Sequence, residues 1–172
     1  MADPGDRKNL RLENWDYSRS GAYFVTVCTK DRENFLSEIS SVGAIHESPA
    51  VRLTKYGQIV DRYIGELPRR YPEIVVDKYV IMPNHVHILM QIVGERAIRE
   101  SPLRALVGTV IGYLKMNASK EMHLAQPGIQ VWQRGYYDHV IRNEADYQTI
   151  WRYIDDNPAK WEEDKYFLDT EI

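Results

Sequence analysis

The sequence predicts an α+β protein, a ferredoxin-like antiparallel four-stranded sheet in the order β-α-β-β-α-β with an additional C-terminal helix. Three observations lead there. Short runs rich in β-branched and aromatic residues alternate with stretches of helical periodicity. Two of the runs are separated by Pro83-Asn84, a turn-type pair, so they read as an antiparallel hairpin. A last amphipathic stretch follows Asn143, after the fourth strand.

Each element has its own signature. Residues 1–20 are polar and read as an irregular arm with Trp15 and Tyr17 as anchors. Ala22-Tyr23-Phe24-Val25-Thr26-Val27-Cys28 reads as the first strand. Residues 37–50 hold Ser, Gly and Pro and read as a loop. From Thr54, Tyr56, Ile59, Val60, Tyr63, Ile64 and Leu67 recur at helical spacing, and Pro68 is expected to end that helix. Strands are expected over 74–82 and 85–93, then a polar loop from Val93-Gly94-Glu95-Arg96. Ser101 and Pro102 suit the cap and first position of a second helix, whose stripe is Leu103, Leu106, Val107, Val110, Ile111 and Leu114. Residues 129–141 read as the fourth strand. The terminal helix should begin at Asn143 as cap, with Asp146 at its third position, and stop near Asn157 before Pro158.

A length of 172 residues suits one domain, with the arm over 1–20 and the terminal helix and tail over 143–172. The hydrophobic fraction of 44% and charged fraction of 27% place it among soluble globular chains. No apolar run reaches membrane-spanning length, and the N-terminus has no hydrophobic signal core. Cys28, the single cysteine, excludes an internal disulfide and fits a reducing compartment, so a cytoplasmic location is expected. The net charge of −3 argues against a broad basic surface that coats DNA. Local patches still bind nucleic acid, and residues 96–120 carry Arg96, Arg99, Arg104, Lys115 and Lys120 against Glu100. Taken alone, that run reads as a solvated helix face.

The chemistry concentrates in Met82-Pro83-Asn84-His85-Val86-His87-Ile88-Leu89-Met90. A strand alternates its side chains, so His85 and His87 share one face while Val86, Ile88, Met90 and Ile92 take the other. The apolar face should meet the first two helices, leaving the histidine face for the terminal helix. On that helix Tyr153 and Asn157 are neighbours four residues apart, and Tyr147, Trp151 and Ile154 mark an adjacent packing stripe. If the helix lies over the histidines, His85, His87 and Asn157 supply two imidazoles and an amide oxygen to a divalent metal, with positions left for water and substrate. A hard oxygen ligand and an oxyanion substrate suit Mg2+ or Mn2+. A phenol beside that cation can attack phosphorus once activated, which makes Tyr153 the candidate nucleophile. Each element has a plainer reading when taken alone. A lone His-x-His is often packing, Tyr153 is one of 12 tyrosines, and Asn157 before Pro158 is a helix end.

Four segments, taken together and in order, remove that ambiguity. Gly21-Ala22-Tyr23-Phe24-Val25-Thr26, Met82 to His87, Val131-Trp132-Gln133-Arg134-Gly135-Tyr136-Tyr137-Asp138-His139-Val140-Ile141-Arg142 and Tyr153-Ile154-Asp155-Asp156-Asn157-Pro158 resemble the REP-associated tyrosine transposases, within the HUH single-tyrosine transposase superfamily. The likeness spans most of residues 19–165. It implies a metal-dependent enzyme that nicks and rejoins single-stranded DNA, often near hairpins, through a covalent phosphotyrosine. His85 and His87 match the metal pair and Tyr153 the nucleophile. Asn157 falls where the superfamily places a third polar ligand, often Gln. Such enzymes act as dimers or, in members resembling this chain, as monomers. Arg134 and Arg142, within the matching segment, and Lys115 are candidate DNA contacts; Lys115 reads equally as a solvated lysine. His139 reads at least as readily as a buried hydrogen-bonded residue as a catalytic one.

Two rivals remain. Histidine-triad nucleotide hydrolases carry a further His after the pair, but that position is Leu89 here, and no glycine-rich phosphate loop appears. The other is a domesticated hairpin-binding protein that no longer cuts.

Overall fold

The computed structural model describes residues 21–40, 50–93 and 103–167. The expected arm with Trp15 and Tyr17, the polar loop after Val93 and the Ser101–Pro102 helix start lie outside these residues. The chain runs β1 (Ala22–Cys28), β2 (Ser37–Ser40), β3 (Ala50–Leu53), α1 (Lys55–Arg70), β4 (Ile74–Ile81), β5 (His85–Ile92), α2 (Leu103–Ala125), β6 (Tyr137–Val140) and α3 (Glu144–Asp156). A short 3-10 turn, Pro158–Glu163, follows. The main sheet has four strands in the order β4-β5-β1-β6, with every neighbouring pair antiparallel.

Alternation along β5 divides the protein into two cores. Val86, Ile88, Met90 and Ile92 pack with Val60, Ile64 and Leu67 of α1 and Val107, Val110, Ile111 and Leu114 of α2. On the other face Leu89 joins Ala22 and Ile141 against Tyr147, Ile150 and Ile154 of α3. The terminal helix therefore covers the histidine face. Its register is fixed at the start by the Asn143 side chain, which accepts from the Asp146 N–H at 2.9 Å. It is also clamped along β4. The sheet register shifts between Val76 and Lys78. Asp77 there accepts from the Tyr147 hydroxyl at 3.0 Å, and Lys78 pairs with Asp155 at 2.5 Å.

Three expectations are corrected. The expected loop over 37–50 is strand at both ends: residues 37–40 pair antiparallel with 50–53, and Glu38 faces Arg52 across the pair and bonds to it. Pro68 does not end α1, which continues to Arg70. In the last turn the missing proline N–H removes one bond, while Tyr71 N–H still reaches the Leu67 carbonyl at 2.8 Å. The fourth strand is four residues, 137–140, rather than 129–141. Residues 131–133 touch the end of β1 only through a Thr29–Trp132 bridge, and the chain then turns out at Gly135, whose φ is 77°, where the Lys115 amine holds the Gln133 and Gly135 carbonyls at 2.7 and 2.5 Å.

The turn before β5 is pinned from outside. Phe35 and Leu36 N–H groups reach the Pro83 carbonyl at 3.0 and 2.9 Å, and Thr29 N–H reaches the Asn84 carbonyl at 2.9 Å. The start of α1 seats on the same segment, because a Cβ at Gly57 would lie 2.0 Å from the Leu36 carbonyl oxygen. Gly65, exposed on α1, has open space around it. Helix propensity alone favours alanine over glycine at both sites by about 0.8–1 kcal/mol. We expect Gly65→Ala to raise the thermal midpoint and Gly57→Ala to lower stability by roughly 1–3 kcal/mol through overpacking. Urea unfolding of the two variants checks this, and equal stabilisation would contradict the packing.

Candidate active site

The histidine pair sits on a strand flanked by hydrogen-bonded neighbours, so backbone geometry aims both rings before any side-chain contact forms. The rings lie with centroids 4.5 Å apart. They are 0% and 1% exposed, closed over by α3 and the tail after it. The Tyr166 ring stacks 4.6 Å from His85, and Trp161 lies 5.9 Å away. Burial disfavours a charged imidazole. It pushes His85 down to about 4, although the Asp164 carboxylate acts the other way. Burial, then the neighbouring His85, holds His87 well below its ordinary value. Both rings are therefore neutral at physiological pH and each keeps one nitrogen lone pair.

Neighbours orient those lone pairs. Asn84 gives its amide N–H groups to the carbonyls of Arg32 at 3.1 Å and Tyr166 at 2.8 Å. Its oxygen therefore faces His85 Nδ1 at 2.9 Å, which places the proton on Nδ1 and the lone pair on Nε2. His87 Nδ1 lies 2.9 Å from the Thr26 hydroxyl on the adjacent strand, which can accept the ring proton; in that tautomer Nε2 keeps the lone pair. Such outer partners set the tautomer of a metal-binding histidine.

The structure brings Tyr153 and Asn157 to the same place. The Tyr153 phenol oxygen lies 3.3 Å from His87 Nε2 and 3.4 Å from Asp164 Oδ2, and both can accept its single proton. Tyr153 is 37% exposed, so the oxygen sits where a buried pair meets solvent. Burial first, then the charge of Asp164, raises its pKa well above the ordinary phenol value. Asn157 donates to Asp164 Oδ2 at 2.7 Å. Among the described residues neither its own buried Oδ1 nor His85 Nε2 has a hydrogen-bond partner. Two buried polar atoms left unpaired in one spot are costly unless a ligand satisfies them. Among the described residues His85, His87 and Asp164 could hold a metal ion, with one donor atom from each within 4.8 Å of the others. Two neutral imidazole nitrogens with carboxylate and amide oxygens suit a divalent cation.

Asp164, Asn84 and Thr26 escape sequence reasoning. Asp164 follows Asn157 in an irregular tail with no period to place it. Asn84 reads only as a turn residue, and Thr26 meets His87 only once the β1–β5 register is known. The remaining candidates lie elsewhere. Lys115 is tied to the Gln133 and Gly135 carbonyls rather than projecting into solvent. Arg134 is exposed on a separate cleft lined also by Cys28 and Tyr137. Arg142 is exposed just beyond β6. His139 is not buried; its ring is half exposed and bonds Asp146 at 2.9 Å.

No protein-family model matches the chain. It is 29% identical over 176 residues to an uncharacterised Haemophilus influenzae protein, covering 95% of this chain and 94% of that one. A second protein of the same organism, described as "Putative REP-associated tyrosine transposase", is 26% identical over 84% of this chain and 74% of its own length. Among solved structures, a REP-associated tyrosine transposase bound to a REP hairpin superposes with a TM-score of 0.60 at 22% identity, covering 90% of this chain and 77% of that one. A Deinococcus radiodurans protein described as a "putative transposase" superposes with a TM-score of 0.50 at 17% identity, covering 85% and 95%. The chain thus has a transposase fold, and its likeness to REP-associated tyrosine transposases holds in sequence and in structure.

Proposed function

We propose that this chain is a metal-dependent single-stranded DNA endonuclease and strand transferase, a transposase that acts on hairpin or repeat DNA through a 5′-phosphotyrosine on Tyr153. It acts as one HUH nuclease domain, with a ferredoxin-like sheet and with α3 carrying the nucleophile. One observation carries the reading: the Tyr153 oxygen stands 3.3 Å from His87 Nε2, beside a second buried imidazole with an unpartnered nitrogen. These groups come from one chain, which supports cleavage in cis by a monomer.

The roles follow from the chemistry. The Tyr153 oxygen bonds to phosphorus of the scissile phosphodiester, and the bond from phosphorus to the 3′ oxygen breaks. The phenol proton passes to Asp164, whose Oδ2 lies 3.4 Å from the phenol oxygen, and the departing 3′ oxygen takes a proton from water. Rejoining is the reverse: a 3′-hydroxyl attacks the phosphotyrosine and the phenol recovers its proton. Because burial raises the phenol pKa, the tyrosine needs help to ionise. His85 Nε2, His87 Nε2 and oxygens of Asp164 and Asn157 would hold Mg2+ or Mn2+, which supplies charge neutralisation at the phosphoryl oxygens. Asn84 and Thr26 keep both imidazole lone pairs directed at that position. No nucleotide cofactor is required, since the phosphotyrosine stores the bond energy for rejoining.

Two outcomes test this reading. Incubated with hairpin DNA and Mn2+, the protein should form a denaturation-resistant adduct, and Tyr153→Phe should lose it while still binding the hairpin. An adduct in that variant points to another nucleophile, and a hairpin complex with no adduct from the unaltered protein points to a non-cleaving binder. The second outcome concerns pH. Imidazoles whose pKa lies below the ordinary value remain available to metal as pH falls, down to that lowered value. From about pH 7.5 to about pH 5.5 the Mn2+ affinity should change no more than severalfold, whereas two ordinary imidazoles would lose roughly a hundredfold. Calorimetric titration at both pH values decides it, and a hundredfold loss would contradict the buried, neutral pair.

A further inference from the structure

We propose that the cleft between β6 and the C-terminal tail is a stacking slot for a nucleobase of the DNA strand, with Tyr137 as its platform and Arg134 and Lys165 as its phosphate contacts. This rests on the DNA reading above and adds to it the path by which the strand reaches Tyr153.

The sheet register supplies the first argument. His87 on β5 pairs with Thr26 on β1, and Thr26 pairs in turn with Tyr137 on β6. Residues directly opposite across antiparallel strands project to the same face. The Thr26 hydroxyl, bonded to His87 Nδ1, shows which face that is. His87, Thr26 and Tyr137 therefore form one row from the catalytic pair to the edge of the sheet. Two strand spacings put Tyr137 roughly 10 Å from His87 along that row. That is within a few nucleotides of a phosphate held at Tyr153.

The cleft itself supplies the second. Its volume is about 230 Å3, and Thr26, Cys28, Arg134, Tyr136, Tyr137 and Tyr166 line it. That suits a planar heterocycle and not a duplex. Tyr137 is 69% exposed, an unusual position for so large a ring on a strand. Tyr166 joins cleft and site, since it lines the former and stacks on His85 of the latter.

Charge supplies the third. The Lys165 amine lies 5.8 Å from the Tyr137 ring centre and 4.8 Å from that of Tyr166. The Arg32 guanidinium lies 5.3 Å from the Tyr166 ring on its own approach. Arg134 enters from the loop that Lys115 holds by its carbonyls. Cations interleaved with aromatic faces, on a chain of net charge −3, match a nucleic-acid strand in single-stranded form. Lys115 then serves as a strut for the arginine-bearing loop.

The test uses the full chain and a pool of hairpin oligonucleotides, either blunt or with random single-stranded flanks, followed by fluorescence anisotropy. Tyr137→Ala should weaken binding of the flanked pool roughly five- to a hundredfold, the range for losing one base stack, and leave the blunt pool unchanged. Tyr137→Phe should keep the affinity, because the ring and not the hydroxyl does the stacking. Lys165→Glu should weaken the flanked pool and flatten its salt dependence. Suppose the unaltered protein binds the flanked pool and forms the adduct, yet Tyr137→Ala binds it equally well. The slot is then refuted and the proposed function stands. Equal weakening of blunt and flanked pools also refutes it, in favour of a duplex contact. If the unaltered protein neither binds nor forms an adduct, the DNA reading fails and the slot with it.

Discussion

Strand β5 is buried on both faces, and the rest of the molecule is arranged around that constraint. Every residue from His85 to Ile92 is buried. One face closes the core under α1 and α2, and the other must be closed by something else. Helix α3 does so, because Leu89 and Ala22 offer an apolar floor for Tyr147, Ile150 and Ile154. Once that helix is docked, the position of Tyr153 follows from helical geometry. Packing in the second core thus sets the distance between the phenol and His87.

Covering the histidines has an electrostatic consequence. Two buried imidazoles cannot both carry charge without partners, so they stay neutral and present lone pairs. The same burial, with Asp164 beside it, makes the Tyr153 phenol harder to ionise. The groups that would grip a cation are thus ready for it, while the phenol proposed as nucleophile is held protonated. Asn84 and Thr26 hold the rings in place, and the pinned turn at Pro83-Asn84 carries that order back to the 29–36 segment.

The four-stranded antiparallel sheet and its helices were legible because β-branched runs and 3.6-residue stripes rarely arise together by accident. The cap at Asn143 announces itself by residue type, and its side chain accepts the Asp146 N–H; Thr54, where the helical period begins, caps α1 in the same way. What escaped depends on contacts distant in sequence. The fourth strand begins late, after a loop whose Gln133 and Gly135 carbonyls are held by a lysine on α2, a tie no local pattern reveals. The hairpin of 37–40 with 50–53 is held by cross-strand pairs whose members are too short a run to read alone. At the site, alternation put the histidine pair on one face and helical spacing put Tyr153 beside Asn157. Asp164 lies in a tail whose course is set by Asn84 and Arg32 rather than by any periodicity.

The account depends on the paired imidazoles gripping a divalent cation next to the Tyr153 phenol. Pulsed electron paramagnetic resonance of the Mn2+ complex, on protein labelled with 15N at histidine, reads this directly. Two directly bound 15N nuclei should couple to the metal, with one remaining in His87→Ala. A Mn2+ spectrum without any histidine nitrogen coupling would contradict the account at its centre.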